Sequence, residues 1–228
     1  MVAIDEYSIA GESFYSRTDG NNWPYGVPIE GSLPKVWCRK LVAGKLQRVN
    51  RRLASYRVEL YVWDAYRPVA CQHGLWDFFM TKCKREAPSA SNEEVRDEVL
   101  NYVSDPTRFK RDDSTTWPVH TSGAAVDLTI RDIETRELCP MGAHFDEMGK
   151  VSHSDYYERK ADASGDVATY RRNRRLLHWA MTEEGFINYP LEFWHFDWGN
   201  QMYVHNVRIL TGQALNAAWY GYVDSPSP

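Results

Sequence analysis

Apolar and polar residues alternate over 57–62, with Val58, Leu60 and Val62 set against Arg57, Glu59 and Tyr61. A two-residue period predicts a strand. Upstream the spacing changes. Trp37, Leu41, Leu46, Val49 and Leu53 approximate a helical stripe, and Lys40, Lys45, Arg48, Arg51 and Arg52 fill the other faces as solvated charge. Downstream, Pro68 suits the first turn of a helix over about 69–85. Leu75, Trp76, Phe79 and Met80 supply its apolar side. Ser91-Asn92-Glu93-Glu94 is a capping-box pattern. It opens a helix through Val95, Val99 and Tyr102 that stops near Asp105-Pro106, and 107–118 reads as polar loop. The apolar run 124–130 predicts a buried strand, and a hairpin through 132–135 returns the chain toward Leu138.

Residues 141–166 are polar and show no clear period. Loops that long in compact domains are usually functional or disordered, and this one reads as part of a site wall. A helix follows over 170–184, with Leu176, Leu177, Ala180 and Met181 inward and Gly185 as its C-terminal stop. Arg171, Arg172, Arg174 and Arg175 in its first half read as solvated charge. Residues 1–34 are rich in Gly, Asn, Pro and Tyr and predict a surface wrap with a short strand or two. No repeat and no linker divides the chain, so 1–228 reads as one domain.

Composition narrows the class. A length of 228 residues, 43% hydrophobic and 25% charged, is enough for one full core. Aromatics at 14% favour a rigid, pocketed enzyme over a disordered segment. A net charge of −4 gives no nucleic-acid footprint, which would need a basic patch. Cys38, Cys71, Cys83 and Cys139 form no C-x-x-C pair and read as mostly buried thiols. No run approaches a membrane span, and the opening residues lack a signal-peptide pattern. The expected location is the cytoplasm.

The candidate chemistry lies in two stretches, Val119-His120-Thr121-Ser122-Gly123-Ala124-Ala125-Val126-Asp127 and Leu191-Glu192-Phe193-Trp194-His195. A lone His in such a setting is often a hydrogen-bonded core residue. Asp127 is harder to place that way, because a carboxylate in a buried strand is costly unless it is paired or metal-bound. Two imidazoles and one carboxylate make an open zinc site, and a spare carboxylate can serve as general base. The reading is His120, Asp127 and His195 on one zinc, with Glu192 as the base that activates zinc-bound water. His120 and Asp127 are seven apart and would face opposite sides of one straight strand. The chain must therefore bend between them, and Gly123 is the expected bend. Glu192 and His195 are three apart, so His195 is expected on a strand and Glu192 at the turn after Pro190.

These residues carry a resemblance. H-x-x-G-x-A-x-D followed by E-x-W-H resembles the zinc peptidases that include D-Ala-D-Ala carboxypeptidases, dipeptidases and the hedgehog zinc domain. Trp63-Asp64-Ala65-Tyr66-Arg67-Pro68, Met141-Gly142-Ala143-His144-Phe145-Asp146 with Ser152-His153, and Ala218-Trp219-Tyr220-Gly221 bring the match closer to the VanX-type D-Ala-D-Ala dipeptidases. Order and spacing agree from about Trp37 to Gly221. The resemblance implies an α+β fold, with a central, mostly antiparallel sheet carrying the zinc site and helices flanking it. It implies hydrolysis of free D-alanyl-D-alanine, a small dipeptide substrate. It gives Arg67 a role at the oxyanion, where the residues alone would pair it with Asp64. It implies that Asp146 receives the substrate's amino group and that a Tyr from the N-terminal region, Tyr25 here, sits near the site. One position departs: the family often has S-x-H at the first ligand, where this chain has Pro118-Val119-His120. A related peptidase trimming peptidoglycan stem peptides is the alternative. A non-catalytic zinc domain is a further one, against which Glu192 and Arg67 both speak.

Overall fold

The computed structural model describes residues 1–161 and 164–226. Its centre is a five-stranded sheet. In chain order the strands of the structure are β1 (Val2–Ala3), β2 (Ala10–Gly11), β3 (Trp37–Cys38), β4 (Val58–Asp64), β5 (Ala125–Asp132), β6 (Ile187–Asn188) and β7 (His195–Asp197). The sheet order is β2-β4-β5-β7-β6, and β1 pairs with β3 in a separate ribbon. Strands β2 and β4 pair in parallel; β4–β5, β5–β7 and β6–β7 are antiparallel. The expected α+β, mostly antiparallel architecture is the one observed.

The two long strands follow their patterns. On β4, Leu60 and Val62 are fully buried, and on β5 Val126, Leu128 and Ile130 are as well. The expected hairpin forms: Asp132 N–H donates to Glu137 O at 3.0 Å, and Arg131 pairs with Leu138. Among the described residues, five α-helices flank the sheet: α1 (Lys40–Leu53), α2 (Val69–Glu86), α3 (Asn92–Val99), α4 (Gly165–Thr182) and α5 (Gln201–Thr211). The Ser91–Glu94 capping box is present at the start of α3.

Three expectations shift. Trp37 belongs to β3, and the inward stripe of α1 is Val42, Ala43, Leu46, Val49 and Leu53, with Leu41 turned out at 61% exposure. The long loop ends before Gly165, because α4 begins there, five residues ahead of the expected start at 170; positions 162 and 163 of that loop lie outside the described residues. Arg174 is buried, not solvated. Its guanidinium donates to Met141 O (2.8 Å), His153 O (2.9 Å) and Val151 O (2.9 Å), and it lies 4.1 Å from the Phe193 ring centroid. The N-terminal wrap does form two short strands, and it buries Ile4, Ile9, Phe14, Tyr15, Tyr25 and Ile29 in the core. Among the described residues, no helix is long and apolar enough to cross a membrane.

Candidate metal centre

Asp127 of β5 and His195 of β7 lie directly opposite in an antiparallel register. Side chains so paired share a face and stand about 5 Å apart at Cβ. His195 Nδ1 lies 2.9 Å from Asp127 Oδ1. His120 arrives from a single 3-10 turn, Val119–Ser122. Gly123 ends that turn with φ 65, a left-handed conformation that glycine adopts without strain. This is the expected bend. It puts His120 Nε2 at 3.3 Å from both His195 Nδ1 and Asp127 Oδ2. One ligand atom from each of His120, Asp127 and His195 falls within 4.8 Å of the others, and all three residues are buried.

The hydrogen bonds around this group fit a cation. His120 Nδ1 lies 2.8 Å from Ala65 O, a pure acceptor, so Nδ1 carries the proton and Nε2 is left with its lone pair. His195 meets a carboxylate at each nitrogen, Asp197 Oδ2 at 3.1 Å from Nε2 and Asp127 Oδ1 at 2.9 Å from Nδ1; with Nε2 donating to Asp197, the inward Nδ1 proton is the one a metal ion would displace. Without that proton, two imidazole lone pairs and a carboxylate converge on one point. Such a set repels itself unless a proton or a metal ion lies among them. Burial drives the pKa of His120 down to about 3, which keeps it in the neutral form that can bind a metal ion. Burial also works against a charged His195, but the Asp197 and Asp127 carboxylates outweigh it and hold its pKa well above the ordinary value.

Glu192 sits in the turn before β7, where its N–H donates to Tyr189 O at 3.0 Å. Its Oε2 lies 3.8 Å from His195 Nδ1. A quarter of the side chain stays open to solvent, but the carboxyl lies deep in the site, and burial pushes its pKa up to about 7. That is where a general base works best near neutral pH.

Arg67 is 9% exposed and held on all sides. Nε donates to Asp64 at 2.8 Å, Nη1 to Gln72 at 3.1 Å, and Nη2 to Tyr15 Oη at 3.1 Å and to Asp127 at 3.3 Å. The pairing with Asp64 that the residues alone suggest is therefore present. Asp146 is buried on the far side of Tyr15. Tyr15 and Tyr25 both donate to its Oδ2, at 2.8 and 2.9 Å. Burial raises the Asp146 pKa to about 6, with Asp127 adding to the rise and Arg67 and the two tyrosines opposing it. Every residue singled out for the site thus falls in one connected cluster, Tyr25 included.

Sequence reasoning missed Tyr15, Gln72 and Asp197. Tyr15 joins Asp146 to Arg67, and no local pattern in residues 1–34 marks it. Asp197 carried a readable signal: it lies two residues after His195, and on a strand that spacing puts both side chains on one face. The carbonyl of His153 accepts from Arg174, and the ring of His144 packs against Trp23.

The chain is similar in sequence to known D-alanyl-D-alanine dipeptidases. A D-alanyl-D-alanine dipeptidase of Synechocystis sp. is 28% identical over 208 residues, covering 87% of this chain and 83% of that one. A D-alanyl-D-alanine dipeptidase of Streptomyces coelicolor is 30% identical over 175 residues, 75% of this chain and 78% of that one. A solved structure titled VanYB in complex with D-Alanine-D-Alanine shares 16% identity, with a TM-score of 0.46 over 78% of this chain and 79% of that one; that likeness is distant. The family described as D-ala-D-ala dipeptidase matches residues 35–211, which takes in the candidate ligands, Glu192, Arg67 and Asp146, and the chain belongs to that family.

Proposed function

We propose that this protein is a zinc-dependent dipeptidase that hydrolyses free D-alanyl-D-alanine to two D-Ala. The observation that carries the reading is the convergence of His120, Asp127 and His195 to within 4.8 Å, with the Glu192 carboxylate beside them. His120 through Nε2, His195 through Nδ1 and Asp127 through its carboxylate would hold the ion. Once bound, zinc would polarise the substrate carbonyl and lower the pKa of a coordinated water toward about 7.

The chain's own residues supply the rest. Glu192 takes a proton from the attacking water and returns it to the leaving amine. Arg67 places a permanent positive charge next to Asp127, where charge builds on the carbonyl oxygen. Four of its five N–H groups are already taken, so it acts as a fixed charge more than as a new bidentate donor. Asp146 pairs with the substrate's free ammonium, and that cation would favour its ionised form. Tyr15 and Tyr25 hold the carboxylate in place for it.

The test is D-Ala release from D-Ala-D-Ala with and without added zinc, beside N-acetyl-D-Ala-D-Ala and L-Ala-L-Ala. The expected result is zinc-dependent turnover of the free D,D-dipeptide and little of either control. Equal cleavage of the acetylated compound would favour a carboxypeptidase acting on longer peptides.

A further inference from the structure

We infer that Asp197 is a positioning residue for the metal: with Asn200 it fixes which nitrogen His195 turns toward the ion. The inference rests on the zinc reading above. Asp197 is fully buried at the end of β7, and its two oxygens have different partners. Oδ2 faces His195 Nε2 at 3.1 Å, and Oδ1 accepts from Asn200 Nδ2 at 2.6 Å. Asn200 is itself fixed. It is fully buried, and its Oδ1 caps α5 by accepting from Tyr203 N–H at 2.8 Å. The amide can therefore offer only its NH₂ to Asp197 without giving up the helix cap. One line of hydrogen bonds runs from the start of α5 through Asn200 and Asp197 to the imidazole.

Two consequences follow from that line. A carboxylate at Nε2 accepts its proton and leaves Nδ1 free to bind the ion. It also raises the basicity of the ring, as carboxylates behind ligating histidines do. Asp197 has its own need for a cation. Among the described residues its ion-pair partner is His195 alone, with no Lys or Arg within reach. A fully buried carboxylate is costly without positive charge nearby. A metal ion on the far side of the same ring supplies that charge.

The test is zinc affinity, measured on the full chain by competition with a chromophoric chelator at one fixed pH, with thermal melts in excess chelator as the check on fold. The wild type is expected to bind one zinc tightly. Asp197→Ala should bind roughly 10-fold to 100-fold more weakly, the range set by loss of such a partner. Asp197→Asn should also bind weakly, because its NH₂ would meet the NH₂ of Asn200. Adding Asn200→Asp to Asp197→Asn restores a donor facing an acceptor at every step, and the double variant should recover much of the affinity. If Asp197→Ala does not fold, the comparison of Asp197→Asn with the double variant decides. Unchanged affinity in Asp197→Ala, or no recovery in the double variant, overturns this inference while leaving the zinc reading intact. A folded wild type that binds no zinc overturns both.

Discussion

The two ends of the proposed site are built in different ways. The metal end rests on the sheet. Asp127 and His195 are register partners on β5 and β7, and the turn that carries His120 is anchored where Arg39 N–H donates to Gly123 O at 2.8 Å. The amine end is made of loops. Asp146 has φ 58, an uncommon conformation for a residue with a side chain, and it is held by tyrosines more than a hundred residues away in sequence. Arg174 ties the ends together. It binds three carbonyls of the loop that carries Asp146 and packs on Phe193, the neighbour of Glu192. One end is thus set by strand register and the other by contacts among distant segments. Substitutions at the first should abolish function outright, and substitutions at the second should change which substrate is accepted.

The largest loss belongs to the metal end. Asp127→Ala and His195→Ala should lose zinc and turnover together, read by metal analysis of the purified proteins and by D-Ala release. A His195→Ala protein that keeps one zinc and full activity would remove that ligand from the account.

Glu192→Gln should keep zinc and fold but lose roughly 10²-fold to 10⁴-fold in kcat. Its pH behaviour has a definite sign. The base must be ionised, so wild-type activity should fall as pH drops from about 7 toward the ordinary carboxylate range. Burial lifts the folded-state pKa above that of the unfolded chain, so folding takes up a proton between about 4.5 and about 7. Metal-free wild type should therefore gain stability relative to Glu192→Gln as pH is lowered through that window. Denaturant melts of both proteins at several pH values measure it, and parallel curves would place the titration elsewhere.

At the amine end the effect should depend on the substrate. Asp146→Asn should lower kcat/KM for D-Ala-D-Ala by roughly 10²-fold, about 3 kcal/mol for breaking a buried charge pair. The acetylated dipeptide carries no ammonium, so its already slow cleavage should barely change. The four rate constants form a cycle that isolates the charge interaction. Equal losses on both substrates would make Asp146 a structural residue.

The smallest effect is expected at Tyr25. Tyr25→Phe removes one of two hydrogen bonds to Asp146, worth about 1.5 kcal/mol for a charged acceptor, and should raise KM about 10-fold with kcat little changed. A fall in kcat alone would mean that Tyr25 serves the reacting centre and not the amine.

The same division explains what could be read from the sequence. The alternation of Val58, Leu60 and Val62, the capping box at Ser91, and the bend at Gly123 are local signals, and each led to the right element. His120, Asp127, Glu192 and His195 were singled out by their chemistry and by the family resemblance, and parity on a strand said where the chain must bend to bring them together. Arg174 was misread because Arg171, Arg172 and Arg175 share its helix and its chemistry. Arg171 also donates to loop carbonyls, those of Tyr157 and Lys160, but Arg174 alone of the four is buried, on three carbonyls of an aperiodic loop that no period in α4 can announce. Tyr15 is hidden for the same reason. Helix α5 was overlooked, although Asn200 as cap and the spacing of Val204 and Val207 were available as signals.

The most direct test of the zinc dipeptidase reading is a titration of chelator-stripped wild type with zinc, followed by D-Ala release from D-Ala-D-Ala. Activity should be absent at the start, rise linearly, and stop rising at one zinc per chain. Full activity in the stripped protein, or zinc bound at that ratio with no turnover, would contradict it.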